Sequence, residues 1–211
     1  QSASQAVAAM RPARFGFGKT QSWINVNRDL QTAFGFWVEG PNYAGYSNRD
    51  LSILKFEDMQ GKLITALMNY GAHAVCAFLQ PDEDGIFKTS GNFPGIACRF
   101  VEETFGRDSV AIWTSGAAGN QDPILFDYTW QEFPDGYVTK IPEPDGTGYH
   151  HMEALGRMQG ADAVRCLRDI SAVDAPFPIV FEKTTVSFPA RRRVSGSSGP
   201  LGFRKGGVGP R

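Results

Sequence analysis

Between residues 69 and 123, three apolar runs each end in a cluster of glycines that carries a polar side chain. The run NYGAHAV carries His73, TSGNFPG carries Asn92, and AIWTSGAAGNQDP carries Asn120 and Asp122. In α/β proteins, the loops that follow strands are where ligand-binding and catalytic groups collect. We therefore predict that these stretches form the floor of a functional site.

The glycine-rich loop over residues 116–122 has the residue types of an acyl-transfer site. Backbone N–H groups around Gly119 could stabilise an oxyanion, and Asp122 could act as a general base, a nucleophile or a metal ligand. The alternative is a turn in which Asn120 and Asp122 bond to their own backbone. No Gly-Lys-Ser/Thr follows the loop, which excludes a phosphate-binding P-loop.

His73 follows two small residues at the end of an apolar run, and a neutral imidazole is a good zinc ligand. A catalytic zinc needs three protein ligands and an open position, so His73 would supply one ligand of such a set. The alternative is a hydrogen-bonded histidine near the surface. His150 and His151 are adjacent and would point to different faces of a helix, so we expect them to have capping or surface roles.

Two further polar residues are candidates for substrate binding. Arg28, which follows Asn27, could hold a substrate oxygen through charge-assisted hydrogen bonds, with a surface salt bridge as the alternative. Asn92 precedes a helical pattern, where it could line a pocket beside His73 or cap the helix.

The periodicity of the chain predicts an α/β fold, with a mixed sheet flanked by helices. Phe15 and Phe17 alternate with glycines, as in a strand, and residues 48–75 have the pattern of a β-hairpin that turns at Gly61. The remaining predictions are helices over 93–105 and 150–170, strands over 109–114 and 177–191, and loops over 32–49 and 127–149.

The composition of the chain limits the classes of function that it can have. The chain has 211 residues and a net charge of −1, which gives no reason to expect a nucleic-acid partner. No apolar run reaches the roughly 18 residues of a transmembrane helix, and three cysteines argue against a disulfide framework. We predict one domain over residues 1–191 and a flexible tail or crossing loop over 192–211, where core residues are almost absent.

The order of the motifs resembles that of the neutral (alkaline, non-lysosomal) ceramidase family, from about residue 10 to residue 191. RPARFGFGKTQSWINVNR resembles the family's glycine-bearing stretch that ends in Asn-Arg, and ITALMNYGAHAV resembles its strand with a zinc-binding histidine. TSGNFPG is similar to its Ser-Gly-Asp-x-x-Gly turn, and IWTSGAAGNQDP is similar to its glycine loop, which ends in Gly-Asp-Val-Ser-Pro in true ceramidases. EALGRMQGADAV and KTTVSFPAR resemble the helix and strand that follow.

This resemblance implies that the chain is the central part of a ceramidase-like zinc hydrolase domain with amidase-like activity. It implies that His73 binds zinc, that residues 119–122 act on a carbonyl group, and that Arg28 and Asn92 orient a small-molecule or lipid-like amide. It also implies a secreted or periplasmic protein.

The chain departs from the family's pattern at its most reactive position. The loop serine is replaced by Asp122 and the preceding aspartate by Asn120, so ceramide itself is not the expected substrate. The family's other zinc ligands lie in a His-rich stretch upstream and at a Glu and a Tyr downstream, and these 211 residues hold no match for them. We therefore expect a second chain, or more of the same protein, to complete the domain.

Two alternatives to the zinc hydrolase stay open. One is a non-catalytic ceramidase-like paralogue or subunit that binds a ligand or a partner chain. The other is a metal-free hydrolase with Asp122 as the nucleophile.

Overall fold

The computed structural model describes residues 2–78, 80–134, 137–175 and 180–188. Its elements follow one another as α1 Ser2–Ala8, β1 Arg14–Gln21, β2 Asn25–Gln31, β3 Trp37–Asn42, β4 Asp50–Glu57, β5 Leu63–Tyr70, α2 Asn92–Phe105, β6 Val110–Ser115, β7 Gln121–Pro123, β8 Tyr128–Glu132, β9 Val138–Pro142 and α3 Thr147–Asp169. None of the described helices is both long enough and apolar enough to cross a membrane.

The largest sheet has four strands in the order β1-β4-β5-β6. β4 and β5 form the predicted hairpin, and Gly61 in its turn has a φ of 87°, a left-handed conformation that glycine adopts without strain. β5 and β6 are parallel and are joined through α2, so residues 63–115 form a βαβ unit. This mixed sheet with its helices confirms the predicted α/β class.

The core lies between this sheet and the helices α2 and α3. The ring of Trp113 on β6 meets Phe93 of α2 edge-on at 5.9 Å, and its Nε1 donates a hydrogen bond to Gln159 of α3 at 2.9 Å. Trp113 ends a row of paired residues that crosses the four strands from Gly18 through Ile53 and Met68. The side chains of this row therefore point toward the helices.

The two helices approach each other closely through glycines of α3. A Cβ atom on Gly156 would lie 2.4 Å from Cβ of Ile96, and one on Gly160 would lie 2.7 Å from Cβ of Phe100. Because these distances are shorter than real carbon contacts, only glycine allows α2 to pack this tightly against α3.

The described residues form two smaller sheets in addition to the main one. One has the order β3-β2-β7, with a register shift between Asn27 and Asp29, and the other is the antiparallel hairpin β8-β9. The helices predicted over 93–105 and 150–170 and the strand over 109–114 are confirmed, with ends shifted by at most three residues.

Three sequence-based expectations were wrong in whole or in part. Residues 32–49 contain β3, and residues 127–149 contain β8 and β9, because pairing with a neighbouring strand sets the conformation of sequences that lack a clear apolar alternation. The strand predicted over 177–191 does not form within residues 180–188, which have no strand partner there. Its other residues, and the predicted tail over 192–211, lie outside the described residues.

Candidate functional site

The candidate site forms where β5 and β6 end side by side. The two strands are parallel, and their last residues, Tyr70 and Ser115, are paired across the sheet. The loops that follow them therefore leave from the same edge. The loop after β5 carries His73, and the loop after β6 leads into β7 with Asp122.

Glycines let these two loops lie against each other. The N–H of Gly116 donates to the carbonyl oxygen of Tyr70 at 2.8 Å. A Cβ atom on Gly71 would lie 2.9 Å from the Ala117 oxygen, so a larger residue there would push the loops apart. Gly119 is different, because a Cβ atom there would meet nothing within 4 Å. The space beside Gly119 is therefore open to a ligand.

β2 brings Arg28 to the glycine loop. Val26 is paired with Asp122 in the register of β2 and β7. Arg28 donates from its backbone N–H to the Asn120 oxygen at 3.0 Å and from Nε to the Gly119 oxygen at 3.1 Å. Its Nη1 lies 3.4 Å from Oδ1 of Asp122, whose side chain is only 2% exposed. Arg28 thus holds the loop and pairs with its buried carboxyl group.

The ring of His73 is fixed by the same loop. Its backbone N–H and its Nδ1 both donate to the carbonyl oxygen of Gln121, at 2.9 and 3.1 Å. Because a carbonyl oxygen only accepts, Nδ1 carries a hydrogen, and in the neutral ring the lone pair is on Nε2. Nδ1 is also 3.8 Å from Oδ1 of Asp122, and the ring is 36% exposed. The structure therefore places His73 and Asp122 side by side.

Burial controls the electrostatics of Asp122. Loss of solvent raises the pKa of this carboxyl group, Arg28 opposes the rise, Glu39 adds to it, and His73 and Lys140 oppose it more weakly. A buried carboxyl group with a raised pKa beside charged partners is typical of a group that exchanges protons.

The hairpin β8-β9 carries aromatic side chains close to the charged groups around Asp122. Nζ of Lys140 lies 4.3 Å from the ring centroid of Tyr128 and 5.0 Å from that of Trp130, and it pairs with Glu39 at 3.1 Å. Burial raises the pKa of Tyr128, and the charges of Glu39 and Asp122 raise it further. Tyr128 therefore lies close enough to Asp122 for the two groups to influence each other's ionisation.

The structure brings together five of the predicted site residues and sets Asn92 apart. His73, Arg28 and the loop over 119–122 are in contact, whereas Asn92 lies at the start of α2. Oδ1 of Asn92 accepts from the N–H groups of Phe93 at 2.9 Å and Cys76 at 3.4 Å. Asn92 thus supports the loop that carries His73, and its role toward a substrate stays a prediction.

Sequence reasoning missed two buried residues of the site, Asn25 and Gln121. Nδ2 of Asn25 donates to Oε1 of Gln121 at 3.2 Å, and both side chains are at most 2% exposed. One signal was present: Asn25 and Asn27 alternate with apolar Ile24 and Val26, so polar side chains recur on one face of a strand.

The metal-binding capacity of the site is partial. Among the described residues, no group of three or more His, Cys, Asp or Glu side chains could hold a metal ion. His73 itself fits a zinc ligand, because a carbonyl oxygen holds Nδ1 and leaves Nε2 to coordinate. A full ligand set would need groups from outside the described residues.

Comparisons with known proteins support the fold. No protein-family profile matches the chain, and no curated protein sequence matches it. Among the solved structures that are similar, neutral ceramidase from Pseudomonas aeruginosa has a TM-score of 0.55 and 22% identity over 78% of this chain. A ceramidase complexed with C2 has a TM-score of 0.54 and 23% identity over 77% of this chain. The match covers 24% and 23% of those chains, so this α/β chain has a fold similar to about a quarter of a neutral ceramidase.

Proposed function

We propose that this chain forms part of a zinc-dependent hydrolase that cleaves an amide or a related acyl bond. The observation that carries the proposal is the meeting of His73, Asp122 and Arg28 at the ends of two parallel strands. The similarity of the fold to neutral ceramidases supports the same reaction class.

His73 is the proposed zinc ligand, through Nε2, and the remaining ligands come from outside the described residues. A zinc ion bound there would polarise the carbonyl group of the substrate and lower the pKa of a bound water to about 7. The contact with Gln121 keeps the ring of His73 oriented for this role.

Asp122 is the proposed general base. Because the pKa of Asp122 is raised, its carboxylate is a stronger base and can take a proton from the attacking water. The N–H groups of Gly119 and Asn120 donate no hydrogen bond within the described part of the chain, so they are available to the developing oxyanion. Arg28 keeps the loop and the carboxylate in place, and Asn92 remains a proposed contributor to substrate orientation.

The proposed substrate is a small-molecule or lipid-like amide other than ceramide. The resemblance of the glycine loops implies that Asp122 stands where ceramidases have the loop serine, and this buried acid would serve a different arrangement of the scissile bond. The domain is completed by a second chain or by more of the same protein, which supplies the missing ligands.

An amidase assay on the native assembly, combined with elemental analysis, tests the function. We expect about one zinc per chain and loss of activity on chelation, because one catalytic zinc serves each site. Asp122→Ala should lower kcat at least about 100-fold with zinc retained, and His73→Ala should lose both zinc and activity. His150→Ala, which alters an exposed histidine paired with Glu83, is the matched control and should leave both unchanged.

The same assay separates the alternatives. Full activity after complete chelation would overturn the zinc mechanism. A loss of activity in Asp122→Ala would then support the metal-free hydrolase in which Asp122 is the nucleophile. An inactive native assembly that holds no zinc would support the second candidate, a non-catalytic relative that binds a ligand or partner chain. The incomplete ligand set among the described residues is the observation that favours this candidate.

A further inference from the structure

Asn25 lies at the point where three loops of the site converge. Its side chain is fully buried on β2, and Nδ2 faces three acceptors: the oxygens of Asn48 and Gly71, each at 2.8 Å, and Oε1 of Gln121 at 3.2 Å. The acceptors come from the loop before β4, the loop that carries His73, and the start of β7. The two hydrogens of this buried amide are therefore shared among three segments that are distant in sequence, with the longest of the three contacts going to Gln121.

Gln121 connects the buried side chain of Asn25 to the ring of His73. Its side chain is buried, with Oε1 held by Asn25 and with Nε2 donating to the Tyr46 oxygen at 3.2 Å and to Oδ1 of Asn120 at 3.0 Å. Its backbone oxygen accepts from both the N–H and Nδ1 of His73. The position of that oxygen decides which nitrogen of the His73 ring carries the hydrogen.

We propose that Asn25 is a positioning residue: through Gln121 and Gly71 it fixes His73 with the hydrogen on Nδ1 and leaves Nε2 free as a ligand or base. The catalytic consequence rests on the proposed function, whereas the state of the ring does not. The chemistry explains why an amide is needed, because a buried group that faces three acceptor oxygens must donate.

The backbone of Asn25 is held independently of its side chain. Its carbonyl oxygen accepts a hydrogen bond from Nη1 of Arg49, whose guanidinium lies 4.7 Å from the ring centroid of Trp23. β2 also pairs there with β7, where Asn25 is opposite Pro123. Removing the Asn25 amide should therefore release the loops without moving the strand.

NMR of the full chain labelled with ¹⁵N-histidine tests the proposal, because the chain has only three histidines. We expect wild-type His73 to show a single form with the hydrogen on Nδ1, and Asn25→Ala to show a mixture of both forms. His151, whose Nδ1 donates to the Phe126 oxygen at 2.6 Å, is the internal reference and should not change. Asn69→Ala is the matched control, since Nδ2 of Asn69 lies at the same sheet edge and donates to Oγ1 of Thr114 at 2.9 Å rather than to Gln121.

Two results would overturn the proposal: wild-type His73 with its hydrogen on Nε2, or an unchanged single form of His73 in folded Asn25→Ala. If Asn25→Ala does not fold, Gln121→Met serves instead, since it keeps the volume and removes the acceptor of Asn25. The same change in the His73 ring is expected there, and an unchanged ring in folded Gln121→Met contradicts the proposal.

Activity of the native assembly, measured for the same variants, separates this proposal from the proposed function. We expect kcat of Asn25→Ala to fall about 10- to 100-fold with little change in KM, as for other groups that orient a metal-binding histidine. A wild-type native assembly without hydrolase activity, in which His73 shows the expected ring state, would contradict only the function. Lost activity with an unchanged His73 ring would contradict only the positioning role.

Discussion

At the scale of single residues, the burial of the Asp122 carboxyl group costs the fold stability. This group is buried in a site where Arg28 lies at 3.4 Å, and its pKa remains raised despite that partner. A raised pKa means that ionisation is less favourable in the folded chain than in the unfolded chain. Functional sites often carry such a cost because the charged group is needed for chemistry.

Asp122→Asn should therefore stabilise the chain at neutral pH. Because the folded-state pKa of Asp122 is raised, its stabilising contribution is present below the unfolded pKa and is lost as pH rises through the folded pKa. The neutral amide avoids this loss, so the melting temperature of the variant should exceed that of wild type at pH 7. The difference should shrink toward zero under acidic conditions, as followed by circular dichroism against pH.

Asp108→Asn provides a control of opposite sign. The pKa of exposed Asp108 is lowered, first by its hydrogen bond with Lys62, so its contribution is present above the unfolded pKa and is lost as pH falls through the folded pKa. Its removal should lower stability slightly at pH 7. A melting temperature of Asp122→Asn below that of wild type at pH 7 would show that the ion pair with Arg28 outweighs the cost of burying the charge.

The sequence was more informative about which polar residues meet at the candidate site than about the buried residues that support them. The proximity of His73 and Asp122 could be predicted because each lies in a glycine-marked segment that follows an apolar run, and Arg28 was placed with them by the resemblance. For Asn25 the sequence shows only a polar residue that alternates with apolar ones, because its contact with Gln121 joins residues 96 positions apart. Such long-range hydrogen bonds leave no local pattern.

At the scale of elements, the local pattern predicted the long elements and the apolar strand β6, and it missed the short strands β3, β8 and β9. α2, α3 and the β4-β5 hairpin have enough residues for a clear period. β3 contains Pro41, and β8 and β9 have five residues each, so their strand state depends on a partner rather than on their own sequence.

The contact between α2 and α3 gives a test at this scale. Gly156→Ala places a Cβ atom 2.4 Å from Cβ of Ile96, so we expect a loss of about 1–3 kcal/mol in the free energy of unfolding. Gly95→Ala on the facing helix is the matched control, because its Cβ atom meets nothing within 4 Å. That variant should gain up to about 1 kcal/mol from the helix preference of alanine. Urea unfolding measures both, and equal effects would show that the helices are not in tight contact at Gly156.

At the scale of the whole molecule, the two faces of the main sheet are unequal. α2 and α3 cover the face that carries Trp113. The side chains of the adjacent row of paired residues point to the opposite face. On that second face, Phe17 is 55% exposed, Val110 52% and Ile112 44%. The row that contains two of them runs from Phe17 through Leu54 and Leu67 to Ile112. Exposed apolar patches of this kind promote association.

The double variant Val110→Thr, Ile112→Thr should reduce self-association of the chain, because threonine keeps the strand preference and removes apolar surface from the exposed face. Since both side chains are about half exposed, the free energy of unfolding should change by no more than about 1–2 kcal/mol. Sedimentation velocity at increasing protein concentration measures the association. The double variant Val7→Thr, Met10→Thr removes two apolar side chains that are 63% and 75% exposed near α1, and it should leave association unchanged. If both double variants associate as wild type does, the second face of the sheet is not the surface through which the chain self-associates.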